Sequence, residues 1–221
     1  MQGINFDNSF MRFFNKAMDV VILNVIFVIC CLPIVTIGAA YSALYYSLMK
    51  SIRRDRGYVY KNYFKAFIQN LKQGIPAFLI LGFFEALAVY GMYLLRTAND
   101  GGASLGFWFS IFVFIVATFL LLYMFPVISR FSFPFKSLFA FCTMISFRYV
   151  HYTIGLAAML LGIGYLGYLF PPAAVLILPA LYALLSSFLI ERIFKVYMKL
   201  YEEEPSGDGE EEEFKDTWYL E

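Results

Sequence analysis

The sequence predicts an all-α membrane protein, a bundle of transmembrane helices with about five spans. Of the 221 residues, 61% are apolar and only 15% are charged, whereas soluble domains are about 45–50% apolar and about 25% charged. Several stretches longer than 20 residues carry at most one Asp, Glu, Lys or Arg, and about 20 apolar residues suffice to cross a bilayer. Residues 107–123 are apolar on every face, which favours a lipid-embedded helix over an alternating barrel strand.

The charge-poor stretches place the individual spans, which lie near residues 20–40, 75–95, 105–128, 153–170 and 173–190. Pro171 and Pro172 supply the turn between the last two spans. Together these spans predict one transmembrane domain over residues 1–200. Residues 201–221 are rich in Glu, Asp, Gly and Pro, a composition that is typical of a disordered tail because it cannot bury a core.

The first apolar run, from Val20 to Met49, is too long for one simple span. A straight helix of this length measures about 45 Å, against about 30 Å of hydrocarbon. Either one span kinks or is flanked by a re-entrant stretch, or the chain breaks at Leu32-Pro33 and turns back as a hairpin. We favour the single span over 20–40, since the arms of a hairpin are short for full crossings.

The Lys and Arg residues of the short loops predict the orientation. Basic residues are concentrated in segments 50–72 and 129–152 and after Ile190, whereas segment 96–104 carries only Arg96. The alternation predicts a cytoplasmic C-terminus. The N-terminus lies outside if the first run crosses once, and inside if it forms a hairpin; Arg12 and Lys16 favour the inside.

Segment 58–73 predicts a basic amphipathic helix at the membrane interface. One face carries aromatic and apolar side chains at helical spacing, namely Tyr60, Phe64, Phe67 and Leu71. Lys61, Lys65 and Lys72 lie largely on another face. Such a helix either anchors the protein to anionic lipid or docks a cytoplasmic partner. Both interpretations stay open.

Two polar residues inside predicted spans are candidate functional residues. Glu85 lies near the middle of its span, where an ionised carboxylate costs several kcal/mol or more, so we expect it to be protonated, paired or next to water. Thr118, Asn24 and several tyrosines are possible hydrogen-bond partners. Asn24 itself is either functional or an amide that bridges two helices.

No constellation for catalysis or cofactor binding is visible, so an enzyme is not expected. Phosphate-binding, dinucleotide-binding and zinc-protease motifs are missing from the sequence. Cys30 and Cys31 are adjacent within an apolar run, and His151 is the single histidine. We therefore expect no metal, no cofactor and no nucleic-acid partner; a homo-oligomer is compatible with the sequence.

One string of residues resembles a known family. The string begins with Leu23-Asn24, continues through Cys31-Leu32-Pro33-Ile34-Val35-Thr36-Ile37-Gly38-Ala39 and Ala43-Leu44-Tyr45-Tyr46, and extends to Asn70-Leu71-Lys72-Gln73. It is similar to the YesL-like family of bacterial integral membrane proteins, a domain of unknown function. The resemblance implies a bacterial cell membrane location and, since such proteins are often encoded beside carbohydrate ABC transporters, a role linked to sugar uptake.

Two functional hypotheses follow from these observations. The first is a non-catalytic accessory or regulatory protein whose partner is a sugar ABC permease or another membrane protein, with the bilayer as its surroundings. The second is a small transporter or channel whose path includes Glu85. The sequence names neither the solute nor the partner.

Overall fold

The computed structural model describes residues 6–53, 58–98, 105–131, 133–172 and 177–203, and these ranges contain helices and no strand. The predicted all-α class is confirmed. Seven helices are described: α1 (Phe6–Cys30), α2 (Ile37–Ser47), α3 (Val59–Ala98), α4 (Leu105–Arg130), α5 (Phe135–Arg148), α6 (Val150–Leu169) and α7 (Leu178–Glu203). A 3-10 turn, Ile34–Thr36, leads into α2, and a π-helical stretch, Leu48–Arg53, continues it.

The first apolar run turns back on itself, which corrects the prediction of a single span over 20–40. Helix α1 ends at Cys30 and α2 begins at Ile37. The two helices are antiparallel, since the Phe27 ring centroid lies 6.5 Å from that of Tyr41 and Lys16 Nζ donates to the Ile52 carbonyl over 3.1 Å.

Pro33 explains the reversal. Its backbone is extended, with φ −77° and ψ 111°, and its ring cannot donate a hydrogen bond to continue α1. The Thr36 hydroxyl, 2.6 Å from the carbonyl oxygens of both Cys30 and Pro33, ties the turn together. The start of α1 therefore lies at the same end of the molecule as Arg53, as the hairpin alternative predicts.

Helix α3 combines two elements that the sequence analysis separated. It has 40 residues, about 60 Å at 1.5 Å per residue, and it includes both the predicted interfacial helix 58–73 and the predicted span 75–95. The interfacial helix is therefore not a separate element. Gly74 is instead a point of close contact with α2, since a Cβ atom there would lie 2.7 Å from the backbone nitrogen of Ala39, and Pro76 is accommodated within the helix.

The buried core occupies one end of the bundle, which we call the basic end. The basic end of the bundle contains Lys16, Arg53, Lys61 and Arg130, together with the part of α7 that follows Glu191. Here α2, the first half of α3, the end of α4, α5 and α7 bury their side chains against one another. At the other end, called the outer end, the second half of α3, the first half of α4 and the second half of α6 expose large apolar side chains.

Among the residues that the structure describes, three helices are long and apolar enough to cross a membrane: Val59–Thr97 within α3, Leu105–Arg130 and Val150–Leu169. They contain most of the predicted spans 75–95, 105–128 and 153–170. The first four residues of the predicted span 173–190, residues 173–176, lie outside the described residues. Helix α7, which contains the rest of this span from Leu178 onward, begins at Leu178. The total of five spans stays a prediction, as does the disordered tail, of which only residues 201–203 are described, as helix.

Candidate functional site

Glu85 joins the two longest apolar helices. Its Oε1 atom accepts a hydrogen bond of 3.0 Å from the hydroxyl of Thr118 on α4, one of the partners that the sequence analysis names. The carboxyl group also borders an open groove of about 680 Å³. The groove is lined by Gly82, Glu85, Ala86, Val89, Tyr90, Tyr93 and Phe114.

The chemistry of this groove is limited to hydrogen bonding and one carboxyl group. Apart from Glu85, the polar groups of its lining are the hydroxyls of Tyr90 and Tyr93. A single carboxyl group can accept or donate a proton, and the lining supplies no second carboxyl, histidine or lysine. Across the described residues, no three His, Cys, Asp or Glu side chains are grouped as metal ligands.

Asn24 joins a different pair of helices from the pair that Glu85 joins. Its side chain is fully buried, and its Oδ1 atom accepts a hydrogen bond of 3.1 Å from the backbone N–H of Ala180. Because α7 begins at Leu178, this N–H is among the first four of the helix, which have no partner within it. Asn24 therefore caps α7 from α1, which is the bridging role that the sequence analysis set beside a functional one.

Lys61, Lys65 and Lys72 share one exposed face of α3, which we call the lysine face. The spacings of four and seven residues place them along one side of the helix, and all three side chains are exposed. Lys61 Nζ lies 5.1 Å from the centre of the Tyr58 ring. Among the described residues, no carboxylate forms a salt bridge with any of the three.

The opposite face of this part of α3 is buried by α2. Val59, Tyr63, Ala66 and Asn70 are buried there, whereas Tyr60 and Phe64, which the spacing placed on the apolar face, are about half exposed. Asn62 donates a hydrogen bond of 2.8 Å to Ser51, at the end of the π-helical stretch. The lysine face is thus held outward by a fixed contact on the other side of the helix.

Arg130 and Glu191 form a buried ion pair that the sequence analysis missed. Their side chains are 3% and 8% exposed, and the guanidinium group lies 5.6 Å from the ring centre of Phe194. The pair joins the end of α4 to α7. The available signal is that each residue is the first charge after a long apolar run.

The signature string builds the hairpin and its contact with α3. Pro33 and Thr36 form the turn, and Ala39, Ala40, Ala43, Leu44 and Tyr45 are fully buried. A Cβ atom on Gly38 would lie 2.5 Å from the carbonyl oxygen of Gly74 and 2.7 Å from the Phe125 ring. Only a residue without a side chain fits between α3 and α4 at this point.

Long apolar helices, a lipid-exposed outer end and a core at the basic end define a polytopic α-helical membrane protein. Residues 20–92 match the model of a family described as "Protein of unknown function, DUF624". YesL-like proteins belong to this family, so the resemblance is confirmed for this segment, about a third of the chain. No curated protein and no solved structure matches the chain.

Proposed function

We propose that this protein is a non-catalytic accessory membrane protein that docks a membrane partner on the lysine face. The observation that carries the proposal is the geometry of α3: three exposed lysines without a described carboxylate partner project from a helix whose other face is fixed by α2. Such a surface is a complement for anionic side chains or headgroups. The resemblance to YesL-like proteins supports a carbohydrate ABC permease as the partner.

The proposal includes the orientation of the chain in a bacterial cell membrane. We place the basic end, with the lysine face and the end of α7, in the cytoplasm, because cytoplasmic segments are enriched in Lys and Arg. A reporter fused after residue 221 tests this placement. A fluorescent protein that needs the cytoplasm to fold should be bright there, and an exported phosphatase should be inactive; the reverse pattern would overturn the orientation.

A crosslinking pull-down from native membranes tests the docking surface. The variant Lys61→Glu/Lys65→Glu/Lys72→Glu should lose the captured permease, because opposite charges at a contact become like charges. The matched control is Lys136→Glu/Arg192→Glu/Lys195→Glu, which makes the same change of charge on exposed residues of α5 and α7. Equal capture by both variants would sink the docking proposal, and capture of only a second, differently tagged copy would replace the permease with a homo-oligomer.

A second candidate function is a small transporter or channel, and the observation that favours it is the groove beside Glu85. A carboxyl group facing a cavity within a membrane is a functional hypothesis by default. In liposomes, Glu85→Gln should change the flux of a solute or its dependence on pH, whereas Ser110→Ala, on the same helix pair, should not. Identical flux in the Gln variant would remove Glu85 from any transport path.

A further inference from the structure

The C-terminal segment 204–221 carries charge of the opposite sign to the lysine face. It holds eight of the chain's 16 acidic residues and a single lysine, Lys215. The run Glu210–Glu213 places four carboxylates side by side. Phe214, Trp218 and Tyr219 follow it, so the segment combines acids with large aromatic side chains.

The helix that leads into this segment runs toward the end of the molecule that carries the lysine face. Gln73 Nε2 donates a hydrogen bond of 2.9 Å to the carbonyl oxygen of Phe133, three residues beyond Arg130, so Gln73, Arg130 and the paired Glu191 are roughly level. From that level Lys61 lies 12 residues along α3 and Glu203 lies 12 residues along α7. Both distances are about 18 Å, and both lead away from the outer end.

The lateral distance from α7 to the axis of α3 comprises two helix packings. Helix α2 and its π-helical continuation pack between α3 and α7, since Ser51 contacts Asn62 and the Arg53 guanidinium donates to Ser187 over 3.2 Å. Two steps between neighbouring helix axes amount to about 20 Å. The lysines project from the side of α3 away from α2, so the segment has to pass around α3 to reach them. Its 18 residues extend at most about 60 Å, which is long enough for this path.

The lysine face offers the chemistry that this segment needs. Tyr58 contacts Lys61, and Tyr58, Tyr60 and Phe64 around the start of α3 are 67%, 48% and 47% exposed. Ammonium groups attract carboxylates and also the faces of aromatic rings, and exposed aromatic rings pack against other aromatic side chains.

We propose that the acidic segment 204–221 of the same chain folds back onto the lysine face and occupies it in competition with an external partner. The docking site is thereby an autoinhibitory contact, in which the chain carries its own competitor. The competition between the acidic segment and a partner rests on the proposed function, whereas the contact between the segment and the lysine face does not. An acidic segment released from the face leaves the lysines open to the partner.

Zero-length carbodiimide crosslinking of the full chain in a neutral detergent tests the contact, because this reagent joins only amines and carboxylates that already touch. Mass spectrometry should find amide bonds from Lys61 or Lys65 to acids of residues 204–216 within one chain. Mixing isotope-labelled and unlabelled chains separates such bonds from bonds between copies. The yield should fall in about 1 M salt, where the Debye length is about 3 Å, and Lys136, exposed on α5, should crosslink little.

A charge swap gives the decisive comparison. Lys61→Glu/Lys65→Glu/Lys72→Glu should lose the crosslinks, and so should Glu210→Lys/Glu211→Lys/Glu212→Lys/Glu213→Lys, whereas the two sets combined should restore contact, now with the amines on the tail. Crosslinks that are missing in the wild type, form only between copies, or are as frequent at Lys136 would overturn the inference. Equal binding to anionic vesicles with and without residues 204–221 would also overturn it, and would assign the face to lipid.

Different results would contradict the proposed docking function and the contact within the chain. If the contact and the docking function both hold, removal of residues 204–221 should increase capture of the permease from membranes. Intramolecular crosslinks without any captured partner would contradict the accessory function and leave the contact standing. Capture that does not change on removal of the segment would contradict the competition.

Discussion

The basic end and the outer end use the same residue types in opposite surroundings. Tyr45, Tyr63 and Phe194 are fully buried at the basic end, whereas Trp108, Phe109 and Tyr168 at the outer end are 62%, 67% and 82% exposed. In the most apolar stretches of α3 and α6, only 11% of the residues are buried within the protein. The basic end is therefore specified by contacts within the chain, and the outer end by the hydrocarbon around it.

This contrast indicates where changes in the sequence should affect stability. At the basic end the buried side chains pack against defined neighbours, and the charged groups of Arg130 and Glu191 are buried as a pair. At the outer end, lipid adapts to whatever side chain faces it. Substitutions of equal size should therefore differ in their effect on stability according to their location. Three pairs of variants test this comparison.

The largest expected effect is at the ion pair between α4 and α7. Arg130→Ala leaves the Glu191 carboxylate buried without its counter-ion, and we expect a loss of about 3–5 kcal/mol in the free energy of unfolding. Unfolding by titration with a denaturing detergent measures it. The neighbouring Arg192→Ala, at an exposed position, should cost at most about 0.5 kcal/mol.

Two further results would sharpen this prediction. Replacing both Arg130 and Glu191 by methionine should recover most of the loss, because the penalty belongs to the unpaired charge and not to the missing attraction. If instead Arg130→Ala is no more costly than Arg192→Ala, the basic end is not held together by this pair.

The class of fold could be predicted from the sequence because lipid selects for long apolar runs regardless of tertiary contacts. The positions of α4 and α6 follow from the same signal. The hairpin over residues 20–53 could not be predicted from the sequence, because one long span and two short arms have the same hydropathy. The choice depends on Pro33, Thr36 and the close approach of Gly38 to Gly74, which only the packed structure brings together.

The candidate site shows the same division. The partner of Glu85 could be narrowed to a few residues, including Thr118, because few polar side chains lie within the spans. The Arg130–Glu191 pair could not be found in this way, since each residue counts as an ordinary loop charge until the end of α4 is known to pack against the middle of α7. The buried face of α3 also differs from the predicted apolar face. Tyr63 and Ala66 are buried against α2, whereas Tyr60 and Phe64, which follow the more regular aromatic spacing, are about half exposed.

A smaller effect is expected where α2 meets α3. Gly38→Ala places a methyl group 2.5 Å from the Gly74 carbonyl oxygen, so the two helices must separate, and overpacking of this kind costs about 1–3 kcal/mol. Gly82→Ala is the matched control on α3, because a Cβ there meets nothing within 4 Å. Thermal unfolding in detergent should show a lowered midpoint for Gly38→Ala alone; equal midpoints would mean that the hairpin does not pack as described.

The smallest effect is expected at the outer end, and α6 provides the comparison within a single helix. Leu156 is fully buried, whereas Leu161, a little more than one turn later, is 74% exposed. Leu161→Ala should change the free energy of unfolding by no more than about 0.5 kcal/mol, because detergent or lipid fills the space that the side chain leaves.

Leu156→Ala, measured in the same detergent titration, should cost about 2–5 kcal/mol, because it opens a cavity among fixed neighbours. The two variants lose the same atoms from the same helix, so composition and helix propensity cancel and only the surroundings differ. A cost at Leu161 as large as that at Leu156 would show that protein, and not hydrocarbon, covers this part of α6. The division between the two ends would then have to be redrawn around a second copy or a partner packed against the outer end.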